Sequence, residues 1–199
     1  MKTLSSLIAA GALLAGCTSP DQSLFLYQLP YQPGSTVGVW QDHTTHSGGE
    51  FAIDMAGTNG STTYNVVAAR PGIVRFIEET NTQNCASGCP NNYVWIQHVP
   101  GLEWTKYSHL ATGSVSAAGL SVGDDVAMGQ VIGVESNIGM AQGSNDGRHL
   151  HFEVREVPAG SAPGPLAGDM PGTMRVPRFC IPGQVLVKGE IYTAQACNF

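Results

Sequence analysis

Charged residues are scarce in this 199-residue sequence, and basic residues are fewer than acidic ones. Charged side chains make up 12% of the chain, with 9 basic against 15 acidic residues and a formal net charge of −6. A nucleic-acid-binding protein needs a basic face, because much of its affinity comes from lysine and arginine side chains on phosphates. The composition therefore excludes nucleic acid as an expected partner.

A long apolar run is also missing. The apolar stretch from Leu7 to Leu14 is much shorter than the roughly 20 residues that span a bilayer. It follows Lys2, so residues 1–16 have the organisation of an export signal peptide that is removed on secretion. The remaining chain, residues 17–199, has a length that suits one domain with a core of its own.

Cysteine occurs only 5 times, and no two cysteines have the CxxC spacing of a structural zinc site. The segment Leu14-Ala15-Gly16-Cys17 resembles the lipobox of bacterial lipoproteins, which implies that Cys17 becomes a lipidated N-terminus, with residues 17–28 as a linker. An ordinary signal peptide that leaves Cys17 as a free thiol is the alternative. Thr18 stands where an aspartate would retain a lipoprotein in the inner membrane. The sequence therefore predicts an outer-membrane lipoprotein that faces the periplasm.

The other four cysteines form an even set in an exported chain, which favours disulfide bonds. Cys85 and Cys89 flank a short turn, and Cys180 and Cys197 bracket a hairpin-like tail. We therefore predict two local disulfides, Cys85–Cys89 and Cys180–Cys197. The second of these closes the C-terminal tail of a domain that is predicted to cover residues 29–199.

Glycine and proline punctuate the sequence with 25 and 12 residues, and the segments between them alternate apolar and polar side chains. This pattern is typical of short strands joined by tight turns. Strands are predicted over residues 50–55, 66–69, 72–77, 93–98, 103–109 and 149–155. No segment has a long helical period, so the predicted fold is mainly β, with antiparallel sheets.

The strongest chemical signal is the segment from His149 to Val154. Period-two alternation places His149, His151 and Glu153 on one face of a strand and the apolar residues between them on the other. Such a strand can present one imidazole to a metal ion and its neighbour to the water on that ion. The pattern does not say which histidine has which role, and a polar strand face without chemistry is the alternative.

Two further residues extend this signal towards a metal site. His46 lies in a glycine-bearing loop, and Asp54 lies on the polar side of the strand that follows. With one histidine of the His-x-His pair, they supply the three nitrogen and oxygen ligands of an open catalytic zinc site. His43, three residues before His46, is the alternative ligand.

The segment Tyr107-Ser108-His109 is a third candidate. Alternation places Tyr107 and His109 on one strand face, where the His109 ring, as imidazolium or as neutral N–H, would donate to the oxyanion of a tetrahedral intermediate. A histidine with ordinary surface hydrogen bonds is the alternative. His98 lies on the opposite side of its strand from Tyr93 and Trp95, and is interpreted as structural.

The order of these residues resembles that of the lysostaphin/LytM-type zinc metalloendopeptidases, which cut peptide bonds in bacterial cell walls. Six surrounding segments, 51–54, 67–74, 92–94, 123–126, 129–133 and 148–153, are also similar to blocks of that family. The resemblance implies antiparallel sheets that form a groove of the duplicated hybrid motif type. It further implies one Zn2+ per chain held by His46, Asp54 and His151, with His149 as general base and His109 as transition-state stabiliser.

The resemblance and the export signal together imply a substrate. We expect a monomer that hydrolyses peptide cross-links of peptidoglycan, of the D-Ala–diaminopimelate type, with Asn137 and Tyr107 at the substrate groove. The gap between His46 and Asp54 is wider than in lysostaphin, and is counted as a variation within the family. A catalytically silent wall-binding or amidase-activating lipoprotein of the same fold is the alternative. The His-x-His pair argues against a D-alanyl-D-alanine peptidase.

Overall fold

A computed structural model describes residues 21–47, 50–58, 64–98 and 103–198, so the predicted signal peptide and Cys17 lie outside the described residues. The chain is mostly β, which confirms the predicted fold class. The described strands are β1 (Gln22–Tyr27), β2 (Thr36–Gln41), β3 (Ile53–Gly57), β4 (Asn65–Val67), β5 (Gly72–Glu78), β6 (Tyr93–Gln97), β7 (Glu103–Ser108), β8 (Asp125–Val126), β9 (Val131–Val134), β10 (Leu150–Glu156), β11 (Thr173–Phe179) and β12 (Ile191–Thr193). Helix α1 (Ser114–Ala117) is one turn long, and no helix in these ranges is long and apolar enough to cross a membrane.

Ten of these strands form one large sheet, and eight of them follow the order β12-β2-β3-β10-β7-β6-β5-β8. Strand β11 pairs with the C-terminal half of β10, and β1 pairs with β11 in parallel. The other strand pairs among the described residues are antiparallel, and β4 and β9 form a separate small sheet. The large sheet places β10 at its centre, between β3 and β7.

The main core lies between the two sheets. Phe152 and Ile53 from the large sheet belong to the same buried cluster as Val66 of β4 and Ile132 of β9. Phe152 is fully buried, and burying such a side chain stabilises the fold by about 1.5–3 kcal/mol. Because Leu150, Phe152 and Val154 are all committed to this core, the alternate residues of β10 must lie on the opposite face of the sheet.

A second, smaller core covers part of that opposite face. Trp95 and Trp104 pack with Val157 and Met170, which belong to the irregular segment 157–172. The Trp95 indole N–H donates to the carbonyl of Gly168 at 2.8 Å and ties this segment to β6. The two tryptophans are therefore core residues, and the remaining part of this sheet face is open for a functional site.

The N-terminal part of the domain differs from the prediction. Residues 17–28 were expected to form a linker, but Gln22–Tyr27 form β1, which is paired with β11. The Glu103 side chain accepts hydrogen bonds from the Leu24 backbone at 2.5 Å and from the Tyr27 hydroxyl at 2.9 Å. These long-range contacts, which local sequence does not encode, make the segment part of the sheet.

The two disulfides occur as predicted. Cys85 is bonded to Cys89, and Cys180 is bonded to Cys197 across 17 residues. The second bond closes the segment that contains β12, and β12 pairs with β2 at the edge of the large sheet. The C-terminal tail is therefore fixed to the strand that borders the open face.

His98 is buried in a chain of hydrogen bonds, as expected for a structural residue. Its Nδ1 lies 2.9 Å from the Pro71 carbonyl, and its Nε2 lies 3.0 Å from the Thr105 hydroxyl. A carbonyl only accepts, so Nδ1 has a proton. Burial lowers the pKa of His98 from 6.5 to about 4.

This buried imidazole predicts a loss of stability in mild acid. Between pH 6.5 and about 4 the unfolded ring binds a proton that the folded ring does not, so the free energy of unfolding falls as the pH falls. In the His98→Gln variant this contribution is absent. From pH 7 to pH 4.5, denaturant titrations should show the wild type losing about 2 kcal/mol relative to the variant. A difference that does not change with pH would contradict the assignment.

Candidate active site

Asp54 and His151 are brought together by strand register. The two residues are directly opposite each other on β3 and β10, and their side chains share the open face because Ile53, Leu150 and Phe152 point into the core. Directly opposed residues on paired strands have Cβ atoms about 4.5–5.5 Å apart. The His151 Nδ1 atom lies 3.0 Å from Asp54 Oδ1.

His46 reaches the same carboxylate from a turn. Its backbone N–H donates to the Asp42 carbonyl at 2.9 Å, and its Nδ1 lies 3.1 Å from the Ser47 carbonyl. Its Nε2 lies 3.4 Å from Asp54 Oδ2. Asp42 organises the turn through hydrogen bonds from Thr44, and these bonds keep the pKa of its carboxyl low despite its burial.

The side chains of His46, Asp54 and His151 form a group that fits a metal ion. One ligand atom from each residue lies within 4.8 Å of the others. Two imidazole nitrogens and one carboxylate oxygen are the donor set of catalytic zinc sites that keep a position open for water or substrate. His43, the alternative ligand, is not part of this group.

The electrostatics of the group favour a bound cation. Burial alone would raise the pKa of Asp54, but the hydrogen bonds from His149, His151 and His46 hold it well below its usual value. Burial lowers the pKa of His46, but the Asp54 carboxylate more than offsets this effect and raises it. The site therefore contains an ionised carboxylate, which is the form that coordinates a metal ion.

His149 and His109 complete the site with equivalent hydrogen bonds. His149 Nδ1 lies 2.7 Å from the Gly147 carbonyl, and His109 Nδ1 lies 2.8 Å from the Ile138 carbonyl. Each Nδ1 therefore has a proton, and in the neutral ring Nε2 is an acceptor. His149 Nε2 lies 3.5 Å from Asp54 Oδ1. The ring centroids of His109 and His149 are 4.7 Å apart.

His109 reaches this position by a break in the strand pattern. Strand β7 ends at Ser108, and His109 has a φ of 64°, a left-handed conformation that non-glycine residues rarely adopt. Tyr107 is fully buried in the main core, where its hydroxyl accepts a hydrogen bond from Ala69 N–H at 2.8 Å. The prediction that Tyr107 and His109 share a face was therefore wrong, and Tyr107 does not line the groove.

The two histidines differ in how readily they hold a second proton. Burial and the neighbouring His149 and His151 keep the pKa of His109 well below its usual value, so the ring is neutral at pH 7. Burial also lowers the pKa of His149, but Asp54 and the Gly147 carbonyl outweigh this effect and raise it. Because the His109 Nδ1–H is already bound to Ile138, His109 can donate from Nε2 only as imidazolium.

The family of the chain follows from a sequence comparison. A model of peptidase family M23 matches residues 46–163, a range that contains all five clustered residues. The chain belongs to this family. Membership confirms the lysostaphin/LytM-type relationship expected from the motifs, and it assigns this M23 chain to the peptidases.

Two solved structures resemble this M23 chain. Csd3 of Helicobacter pylori is 23% identical with a TM-score of 0.43, and the alignment covers 66% of this chain but only 30% of Csd3. The catalytic domain of the antimicrobial peptidase lysostaphin from Staphylococcus simulans is 22% identical with a TM-score of 0.40, covering 63% of this chain and 80% of that domain. No curated protein has a significant sequence match to the chain.

The rim of the M23 site contains residues that the sequence did not single out. The five clustered residues line a pocket of about 270 Å³, and the others lining it are Gln41, Ser47, Asn91, Met140 and Gln142. Gln41 pairs with Asp54 in the β2–β3 register, so a predicted pairing of these strands would have found it. Asn137 lines a separate depression, where its amide donates to the Asp146 carbonyl at 2.9 Å.

Proposed function

We propose that this chain is a zinc-dependent endopeptidase that hydrolyses peptide cross-links of bacterial peptidoglycan, of the D-Ala–diaminopimelate type. The observation that carries the proposal is the convergence of His46, Asp54 and His151 with His109 and His149 in one open pocket. Three residues supply the ligand set of a catalytic zinc ion, and two supply groups that transfer or hold a proton. Membership of a peptidase family supports peptide hydrolysis as the reaction.

The side chains have distinct roles in the proposed mechanism. When bound, zinc would polarise the scissile carbonyl and lower the pKa of a water molecule towards about 7. His149 accepts the proton of the attacking water at Nε2, while its Nδ1–H remains bound to the Gly147 carbonyl and fixes the ring. His149 can then return the proton to the leaving amine.

His109 stabilises the oxyanion in the same proposal. A donor placed where negative charge develops is usually the largest single contribution to catalysis. Since its Nδ1–H is bound to Ile138, His109 must hold a second proton on Nε2 to act as this donor. Negative charge on the reacting oxygen would favour that protonation, against the low pKa that the ring has without substrate.

The proposed location explains the proposed substrate. The export signal and the lipobox-like segment ending at Cys17 support a monomer attached to the outer membrane and facing the periplasm. The disulfides Cys85–Cys89 and Cys180–Cys197 are consistent with an oxidising compartment. Peptide stems of peptidoglycan are the nearest cross-linked substrate there. A silent wall-binding or amidase-activating lipoprotein would share this location but would not cleave the wall.

A digestion experiment tests the proposal. Purified residues 18–199 should contain about one zinc ion per chain and should release new muropeptides from cross-linked sacculi. His149→Ala should keep the metal and lose activity by at least about 100-fold, because the general base is removed. His43→Ala, in the same region but outside the metal-binding group, should keep both properties. Sacculi left unchanged by the wild-type protein would refute the endopeptidase proposal.

A further inference from the structure

A second depression adjoins the histidine pocket. Its volume is about 390 Å³, and it shares Gln41, Asp54 and Gln142 with that pocket. Its other lining residues come from β2, from the loop after Gln142 and from the C-terminal tail, and they are Val39, Trp40, Gly143, Ser144, Lys188 and Gly189. A substrate bound across Asp54 would therefore extend into this depression.

The C-terminal wall of this depression is held in place by the backbone. Lys188 N–H donates to Asp42 Oδ2 at 2.8 Å, and Gly189 N–H donates to the Val39 carbonyl at 2.9 Å. The Asp42 backbone carbonyl accepts the hydrogen bond from His46 N–H, so one residue connects the tail to the turn of the metal-binding group. The backbone of Lys188 is therefore fixed at the edge of the depression. Its four-carbon side chain is flexible, so the ammonium group can change position to meet a ligand.

Trp40 forms the wall next to His149. The ring centroids of Trp40 and His149 are 5.4 Å apart. The Trp40 ring also lies close to Gly143, which has a φ of 137° and where a Cβ would lie 2.7 Å from the indole. The close approach requires a glycine at this position. Trp40 therefore provides a fixed apolar surface between the proposed general base and the second depression.

The two depressions contain one cationic side chain, although the protein as a whole is acidic. Among their described lining residues, Lys188 is the only lysine or arginine. The side chain is exposed, and the chain has only 9 basic residues against 15 acidic ones. The other polar side chains that line the second depression are those of Gln41, Gln142, Ser144 and Asp54, and a metal ion would neutralise the Asp54 carboxylate. A cation at this place favours an anionic group on the substrate.

We propose that Lys188 and Trp40 form a subsite for a substrate carboxylate next to the scissile bond. The inference rests on the proposed function. In a D-Ala–diaminopimelate cross-link, the scissile amide nitrogen is attached to a carbon that also has a free carboxylate. Lys188 binds this carboxylate through a charge-assisted hydrogen bond, and Trp40 contacts the methylene groups beside it. Lys188 and Trp40 lie outside residues 46–163, so this specificity is separate from the part that matches the family.

Two matched substrates test the subsite. The first is a cross-linked peptide dimer with the free diaminopimelate carboxylate at the scissile bond, and the second has that carboxylate amidated. The wild type should cleave the free form with a kcat/KM about tenfold higher, since one hydrogen bond to a charged group is involved. Lys188→Gln should remove this preference by lowering kcat/KM for the free form alone. Lys188→Arg should retain most of it.

The controls distinguish failure of the subsite from failure of the proposed function. Arg75→Gln removes an exposed charge on β5, three strands away from β10, and should leave the preference unchanged. A wild type that cleaves both dimers equally, or a Lys188→Gln variant that loses activity equally on both, overturns the subsite but leaves the endopeptidase proposal intact. A wild type that cleaves neither dimer overturns the endopeptidase proposal, and the subsite inference with it.

Discussion

Replacing His151 with alanine is expected to remove the bound zinc and to lower kcat/KM by about 1,000-fold or more. His151 supplies one of three ligands, and the loss of metal activation of water and carbonyl is worth several kcal/mol of transition-state stabilisation. The fold should survive, because Leu150 and Phe152 keep β10 in the core and the β10–β3 register does not need the imidazole. Metal analysis, circular dichroism and a peptide-cleavage assay on the same preparation measure the three quantities.

Comparing His151→Ala with His149→Ala distinguishes the metal ligand from the general base. Both histidines contact Asp54, at 3.0 Å from His151 Nδ1 and at 3.5 Å from His149 Nε2. If His151 is the ligand and His149 the base, both variants are inactive but only His151→Ala loses zinc. Asp54→Ala should resemble His151→Ala. Zinc retained by His151→Ala and lost by His149→Ala would exchange the two roles.

The metal-binding group could be predicted because its geometry is encoded locally. The alternation around His151 and Asp54 determines which sheet face each side chain takes, and a core of apolar residues on the other face enforces it. His46 could be added to the group because it lies in a turn shortly before the strand that contains Asp54. Sequence alone could not decide between His149 and His151, since alternation gives both the same face.

His109 and Tyr107 show where alternation fails. The pattern continues to Ser108, and then a single residue with φ of 64° turns His109 away from the face that Tyr107 occupies. That conformation is maintained by tertiary contacts, including the bond from His109 Nδ1 to Ile138, which is 29 residues away. Residue propensities do not predict a left-handed conformation at a histidine. The alternation pattern therefore predicted Tyr107 in the groove, although it is a core residue.

Sequence patterns also failed to predict the strands at the edges of the sheet. Strand β11 contains Pro177, and proline within a run normally argues against a strand. Strand β1 exists because it pairs with β11 about 150 residues later, which is a property of the fold and not of the segment. Residues 66–69 and 72–77 were predicted as two strands, and sequence patterns did not indicate that β4 and β5 belong to different sheets.

Removing the charge of Lys106 is expected to cause a large loss of stability. Lys106 and Glu153 are buried on the same sheet face as the site, where segment 157–172 covers it, with the ammonium 3.1 Å from Glu153 Oε1, and Lys106 also pairs with Asp169. Burial would raise the pKa of Glu153, but Lys106 and Arg155 hold it at about 2. Lys106→Met leaves this ionised carboxylate in the core with Arg155 as its remaining close partner, at 2.8 Å.

The expected cost of Lys106→Met is about 3–5 kcal/mol of unfolding free energy, which corresponds to a melting temperature roughly 10 °C lower. The double variant Lys106→Met/Glu153→Gln should lose less unfolding free energy than the two single variants lose in sum. When both charges are removed, no unpaired charge of this pair stays buried, so its desolvation cost disappears. Denaturant titrations of the four proteins give the coupling energy, and simple additivity would contradict a coupled pair. Since Glu153 lies two residues from His151 on the same strand face, zinc content measured below the melting temperature separates a loss of folding from a loss of the site.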